Sequence, residues 1–361
     1  MKNNRKKILI APLNWGLGHA VRDIPLIYKL IENNCEIIIA GEGAPGELLK
    51  KEFPELKYIP LSSFSISYSK NQFLVLKLFL QIPKIIVGIR KEHSKLQDII
   101  KKYNPDIIIS DNRYGLYSDK IPSIFISHQI FPVLPKSLKI FEKIIYKIHQ
   151  KRIQKFDKCL IPDFKDNPNL SGNLSHKYKL PDKFAYIGIL SQFEYNKEET
   201  GKYDYDIAVI LSGPEPQRTI FENIIRKQLT TYKGNVLIVS GKPDTDFKKK
   251  DKNITSVNHL SRAEMQKIIL SSEVVISRAG YTTIMDFIKL KKSAILVPTP
   301  GQTEQEYLAD YLKNKALFIF KKQHGFNLET ALKELELLNF NNKAFSKSTF
   351  DNFINIVESI N

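Results

Sequence analysis

The feature that most constrains this chain is a repeated alternation of short apolar runs with helical or polar stretches. Runs fall at residues 8–11, 37–40, 58–61, 107–110, 124–127 and 159–161. Several are apolar throughout, with no alternation, as strands buried on both faces of a parallel sheet require. Connecting sequence of helical length separates most of them, which is βαβ organisation. A second series follows at 207–211, 236–239, 274–277, 294–298 and 316–320. Between the two lies a polar stretch with no apolar period, centred on residues 196–201. The pattern predicts an α/β chain with two Rossmann-like parallel-sheet domains, at 1–191 and 204–341. Residues 192–203 are the expected linker, and a C-terminal helix within 342–361 is expected to pack back on the first domain.

Composition narrows the function classes. The 361 residues are 42% hydrophobic and 26% charged, ordinary usage for a globular protein with two cores. Cys35 and Cys159 are the only cysteines, so neither a disulfide framework nor a thiolate metal site is expected. The basic N-terminus precedes an apolar run that ends at Pro12, too short for a secretory leader. Residues 73–89 are apolar but interrupted by Lys77, Gln81, Pro83 and Lys84, short of the ~20 mainly apolar residues of a spanning helix. A cytoplasmic protein is expected.

Ligands of such sheets bind beyond the carboxyl ends of the strands, so the loops there carry the most weight. The first strand runs into Gly16-Leu-Gly18-His19, where two glycines allow a tight turn and the next helix presents free N–H groups. The third position of a dinucleotide fingerprint would be Val21, which argues against that reading. His19 is a candidate general base and Asp111, at the end of the 107–110 run, a candidate carboxylate to hold it. Gly16, Gly18, Asn112, His128 and Gln129 rise to the same rim and are expected to meet an acceptor.

In the second domain, Ser212-Gly213 and Arg218 form a candidate phosphate-facing loop. The most informative stretch is Arg278-Ala-Gly280-Tyr281-Thr282-Thr283-Ile-Met-Asp286, a strand end, a glycine turn and a helix start. Such a helix start suits a diphosphate, and a carboxylate one turn on suits a ribose. Gln305 and Glu306 open the helix after the next strand and are placed for hexose hydroxyls.

These residues resemble glycosyltransferase family 28, which includes the N-acetylglucosaminyltransferase that forms lipid II. Its donor run Arg-Ser-Gly-x-x-Thr-x-x-Glu is matched by Arg278 to Asp286, with Asp in place of Glu. Its Gln-Gln pair is matched by Gln305 and Glu306, and its Gly-Gly-His loop by Gly16-Leu-Gly18-His19. The resemblance implies a GT-B fold with two Rossmann-like domains facing a cleft. It also implies an inverting transfer of a sugar, N-acetylglucosamine or another hexose, from a nucleotide-diphosphate donor, UDP foremost, to a hydroxyl. No cofactor and no metal are implied. The departures at Asp286 and Glu306 leave nucleotide and sugar open.

Charge bears on the acceptor. Residues 1–190 hold 31 Lys and Arg against 17 Asp and Glu, whereas the rest of the chain has an excess of only three. Lys136, Lys139, Lys143, Lys147 and Lys151 recur at helical spacing beside Leu138, Phe141, Ile144, Ile145 and Ile148. With residues 73–89, this basic amphipathic stretch within 136–155 favours an anionic membrane surface and a lipid-linked acceptor, in cell-envelope glycan synthesis. A helix merely covering the sheet is the plainer reading of the same pattern. Nucleic-acid binding lacks any supporting motif. A sugar-nucleotide epimerase and a non-catalytic nucleotide-sugar binder remain the alternatives.

Overall fold

The computed structural model describes residues 5–62, 74–195, 203–242, 247–345, 350 and 352–360; the side chains of 74–82 and 136–137 lie outside that description. The chain divides into two compact units, residues 1–190 with 348–361, and residues 191–347.

The first unit is a seven-stranded parallel sheet. Its strands are β1 (Lys7–Pro12), β2 (Glu36–Gly41), β3 (Lys57–Pro60), β4 (Ile107–Asp111), β5 (Ser123–Ile126), β6 (Lys158–Ile161) and β7 (Phe184–Tyr186). They lie in the order β3-β2-β1-β4-β5-β6-β7. Helices α1 (Leu17–Glu32), α2 (Gly43–Glu52), α3 (Leu74–Tyr103), α4 (Glu142–Ile153) and the short α5 (Asn173–His176) connect them. Ile8 to Ala11 and Ile107 to Ile109 are almost wholly buried, as the unbroken apolar runs require. The terminal helix is shorter than expected: a 3-10 turn at Lys343–Phe345 comes first and α11 spans Asn352–Ser359. Lys6 Nζ donates to the carbonyls of Val357 and Glu358 at 3.1 and 3.0 Å, a cation at the negative end of α11.

The second unit has β8 (Tyr205–Ile210), β9 (Val236–Val239), β10 (Lys248–Asp251), β11 (Ile254–Val257), β12 (Ser272–Ser277), β13 (Ala294–Leu296) and β14 (Phe318–Phe320). The order is β10-β11-β9-β8-β12-β13-β14, parallel except for the edge strand β10. Helices α6 (Gln217–Leu229), α7 (Arg262–Leu270), α8 (Tyr281–Lys289), α9 (Thr303–Leu312) and α10 (Leu328–Glu336) complete it. Its core packs Ile207, Val209, Ile276 and Ile295 of the sheet against Phe221, Ile225 and Leu229 of α6. The expected linker starts inside this unit: Phe193 is buried and Gln192 reaches Asp286. Its centre, 196–201, lies outside the described residues.

The basic stretch at 136–155 differs from the single helix expected. A 3-10 segment, Lys136–Phe141, precedes α4. Of its apolar positions, Leu138 is buried, whereas Ile144 and Ile148 are 56% and 57% exposed. His149 and Ile153 carry the packing of α4 instead. No helix among the described residues is long and apolar enough to cross a membrane.

Candidate active site

Each unit gathers its candidate residues at the carboxyl ends of its strands. In the first, β1 leads into Gly16, whose φ of 98° is in the left-handed region that a side chain resists. Gly16 caps α1, which begins at Leu17, two residues earlier than expected. His19 and the exposed Gly18 therefore lie in the first helical turn. No acidic residue stands there.

One turn further, α1 delivers Arg22, a residue the sequence reading did not single out. Arg22 is buried and organises the rim. Its Nε donates to Asp111 Oδ2 at 2.7 Å and its Nη2 donates to Asp111 Oδ1, the paired geometry of a guanidinium on a carboxylate. Its Nη1 lies 3.1 Å from His128 Nδ1, and Nη2 lies 3.0 Å from His19 Nδ1. His19 Nδ1 is also 3.1 Å from Asp111 Oδ1. The structure thus brings His19, Asp111 and His128 together through Arg22. Asn112 follows with φ 59° and Gln129 offers its carbonyl to His149 Nε2 at 2.9 Å, so both shape the rim loops.

Donor chemistry assigns the protons. A guanidinium only donates, so His128 Nδ1 accepts from Arg22 and its proton resides on Nε2. At His19 the two contacts of Nδ1 exclude each other. With its proton on Nδ1 the ring donates to the Asp111 carboxylate and Nε2 keeps its lone pair, the form a base requires; with its proton on Nε2 the ring accepts from Arg22 instead. Burial alone would raise the Asp111 carboxyl, but Arg22 first and then His19 bring it down to about 2. Burial lowers His19; Asp111 counteracts this and Arg22 reinforces it. Neighbouring Asp23 is fully buried with neither oxygen hydrogen-bonded. Burial and then the Asp111 charge hold its carboxyl well above the ordinary carboxylate value.

In the second unit, α8 starts at Tyr281 behind Gly280, with no side-chain cap and no acid in its first turn. Its first N–H groups are therefore suited to an anion. Thr282 and Thr283 sit on that turn, half-buried. Gly213, with φ 96°, brings the loop after β8 beside Thr299: a Cβ there would lie 3.7 Å from the Thr299 hydroxyl. That hydroxyl is buried without a partner, the mark of a group awaiting a ligand or water. Sequence reading missed Thr299, because a threonine between two prolines reads as an ordinary turn.

Several candidates of this unit turn inward. Arg278 is buried, its Nη2 donating at 2.7 Å to both the Gln217 carbonyl and Gln323 Oε1. Its Nη1 reaches the Val297 and Pro298 carbonyls, and its guanidinium stacks over the Phe221 ring at 4.3 Å. It braces the loops around α8, with its Nε buried and without a partner. Arg218 is paired with Glu215 and donates to the Gly241 carbonyl at 2.5 Å, so its guanidinium ties the loop after β8 to the loop after β9. Ser212 precedes Gly213 on that loop, exposed. The Tyr281 ring is in the core, leaving its backbone N–H to the helix start.

Gln305 Oε1 accepts from Thr299 N at 2.8 Å and Glu306 Oε1 from Gly301 N at 3.0 Å, so both fasten the loop after β13. Glu306 stays exposed. Asp286 is buried and accepts from Ser191 Oγ at 2.6 Å and Gln192 Nε2 at 3.5 Å, not from solvent. Burial outweighs those bonds and raises its carboxyl to about 7. Among the described residues no group of three or more His, Cys, Asp or Glu is arranged to hold a metal.

Residues 210–358 match the family model described as glycosyltransferase family 28 C-terminal domain. The chain is 27% identical over 319 residues to an uncharacterized glycosyltransferase of Methanosarcina acetivorans, covering 83% of this chain and 81% of the relative. It is 25% identical over 382 residues to a Clostridium tetani protein, with 98% of both chains covered. That relative is the UDP-N-acetylglucosamine–N-acetylmuramyl-(pentapeptide) pyrophosphoryl-undecaprenol N-acetylglucosamine transferase. Among solved structures, MurG of Acinetobacter baumannii superimposes with a TM-score of 0.58 at 11% identity, covering 98% of this chain and all of that one. The fold is GT-B.

Proposed function

We propose that this glycosyltransferase of the family 28 type moves a hexose from a nucleoside-diphosphate donor, UDP-linked in the first instance, to a hydroxyl on a lipid-linked acceptor, with inversion. The observation that carries the reading is the Asp111-held His19 on the rim of the first sheet, in a chain whose second unit carries the family 28 domain. The acceptor oxygen attacks the anomeric carbon as the bond to the diphosphate breaks and its electron pair leaves with the phosphate. His19 Nε2 takes the hydroxyl proton. The α8 N-terminus, with Gly280, Thr282 and Thr283, takes the developing phosphate charge, and no step is assigned to a metal. Ser212, Gly213 and the orphan Thr299 hydroxyl complete the donor loops, with Glu306 toward the sugar. Asp286 meets the ribose only by exchanging Ser191 and Gln192 for its hydroxyls.

The lipid-linked part of the reading is supported by the relative of Clostridium tetani and by the exposed Ile144 and Ile148 on a lysine-rich helix. Action at the inner face of a membrane, in envelope glycan synthesis, follows from the same reading. The test is a thermal-shift screen of UDP-, dTDP- and GDP-sugars, followed by product analysis with the stabilising donor. Stabilisation by one class and transfer to a lipid-linked glycan are expected. An epimerised donor formed without acceptor would overturn it.

A further inference from the structure

Away from the strand-end rim, the first unit carries a groove of about 530 Å³ between α3, α4 and the loop that follows β4. Its lining is cationic. Arg90 comes from α3, Arg152 from the end of α4, and Lys155 from just beyond it, with His93 and Tyr117 between them. No Asp or Glu lines it.

Two carboxylates that adjoin the lining residues in sequence are committed elsewhere. Glu92 is buried against Arg113 at 2.7 Å, and Asp157 accepts from the Ser123 backbone at 2.7 Å. The aromatic floor is fixed. His93 stacks on Tyr117 with ring centroids 4.3 Å apart and donates from Nδ1 to the Gly115 carbonyl at 3.1 Å. That leaves Nε2 as the ring's free nitrogen. Lys155 lies over the same Tyr117 ring, 4.2 Å from its centroid, and donates to the Tyr117 hydroxyl at 2.7 Å. By contrast, the guanidinium groups of Arg90 and Arg152 have no hydrogen-bond or ion-pair partner among the described residues.

Three positive charges converging on one groove repel each other, and no Asp or Glu among the described residues lines it to neutralise them. Two unpaired guanidinium forks beside an ammonium match the oxygens of a phosphate, which they can grip in pairs. Ile89 and the ring pair supply an apolar wall beside the charges. Along α3, Val87 precedes Arg90 on one exposed face, and along α4 Ile144 and Ile148 precede Arg152 at four-residue spacing. We propose that this groove binds a phosphate-bearing ligand, either a free phosphorylated compound or the headgroup of an anionic lipid, at a site separate from the candidate donor loops.

The test uses the full chain and inorganic pyrophosphate, followed by isothermal titration. An R90Q/R152Q variant removes both free guanidinium groups. A K91Q/K101Q variant removes the same charge from exposed positions of α3 outside the lining. Pyrophosphate can also enter the donor loops, so the reading is the number of sites. Wild type and K91Q/K101Q are expected to show two classes of site, and R90Q/R152Q only one. Co-sedimentation with phosphatidylcholine vesicles containing phosphatidylglycerol runs in parallel. A tenfold or greater loss of vesicle binding confined to R90Q/R152Q, with no second pyrophosphate site in wild type, assigns the groove to a lipid headgroup. Equal losses in the two variants reduce the effect to diffuse charge and overturn the site. Unchanged binding of both probes in R90Q/R152Q overturns it as well. Neither result bears on sugar transfer, which is assayed separately.

Discussion

Asp286 offers a prediction in which the structure supplies the magnitude. Its carboxyl is raised from 3.8 to about 7, because burial outweighs the bonds from Ser191 and Gln192. A carboxyl raised on folding binds a proton in the folded chain that the unfolded chain has released. Its stabilising contribution is therefore complete below the unfolded pKa and is lost as pH rises through the folded one. A shift of roughly three pKa units corresponds to about 4 kcal/mol, lost mainly between about pH 4 and pH 7. Asp286→Asn keeps a neutral acceptor for Ser191 Oγ and has no proton to lose. The two proteins should be of similar stability near pH 4.5 and diverge by about 1.4 kcal/mol per pH unit until the gap levels off above pH 7. For a unit of this size that is a difference of about 10 °C in the unfolding of residues 191–347. Thermal unfolding of both proteins from pH 4.5 to 8.5 in matched buffers reads it. Parallel curves would refute the reasoning, since they mean that Asp286 titrates in the native state as it does in the unfolded one.

Further outcomes follow from the two rims. His19→Ala should lower kcat by a factor on the order of 10² to 10⁴ while leaving the donor Kd unchanged, and transfer at near wild-type rate removes His19 from the chemistry. Arg22→Lys cannot reproduce the paired bonds to Asp111, so a fall in kcat with little change in donor KM is expected. Arg22→Met removes the charge that lowers His19, so the acid limb of its kcat/KM profile should move to higher pH; an unmoved limb counts against the contact. Thr299→Val deletes a buried hydroxyl without a partner and should stabilise the free protein by about 1 kcal/mol while weakening donor binding. Loss of stability together with unchanged donor affinity would place that hydroxyl in the core packing instead.

Much of the architecture is legible because buried parallel strands have an apolar signature that few other structures share. Most runs of both sheets, the edge strands β3 and β14 included, are found within a residue or two of their true ends. Three strands, β7, β10 and β11, escape the same reasoning; β11 is Ile-Thr-Ser-Val, with only two apolar residues. β10 is Lys-Lys-Lys-Asp, exposed at every position and paired antiparallel to β11 by backbone bonds alone, so no apolar pattern exists to find. β7 is three half-buried residues at the opposite edge of the first sheet. The helix at 136–155 misleads in another way. Its period is real, but the residues that pack are His149 and Ile153, and the isoleucines that define the apolar stripe remain in solvent.

At the candidate sites, sequence position identifies the loops better than the direction of a side chain. Arg278 lies in the motif and in the right turn, yet its guanidinium serves four carbonyl or amide oxygens of neighbouring loops. Conversely, Arg22 is one helical turn beyond His19 and resembles any surface arginine until the sheet buries it beside Asp111. Its presence alters the chemistry that a histidine and an aspartate alone suggest. Within the buried cluster the Asp111 carboxylate is matched by the Arg22 guanidinium. That suits its burial, since an unmatched charge there would be costly. It also means that the Asp111 charge is already balanced when His19 gains a proton. The imidazolium then adds a positive charge to the cluster. In the proposed transfer its counterpart is the diphosphate released in the same step, so proton uptake and departure of the leaving group are bound together by electrostatics as well as by bonding.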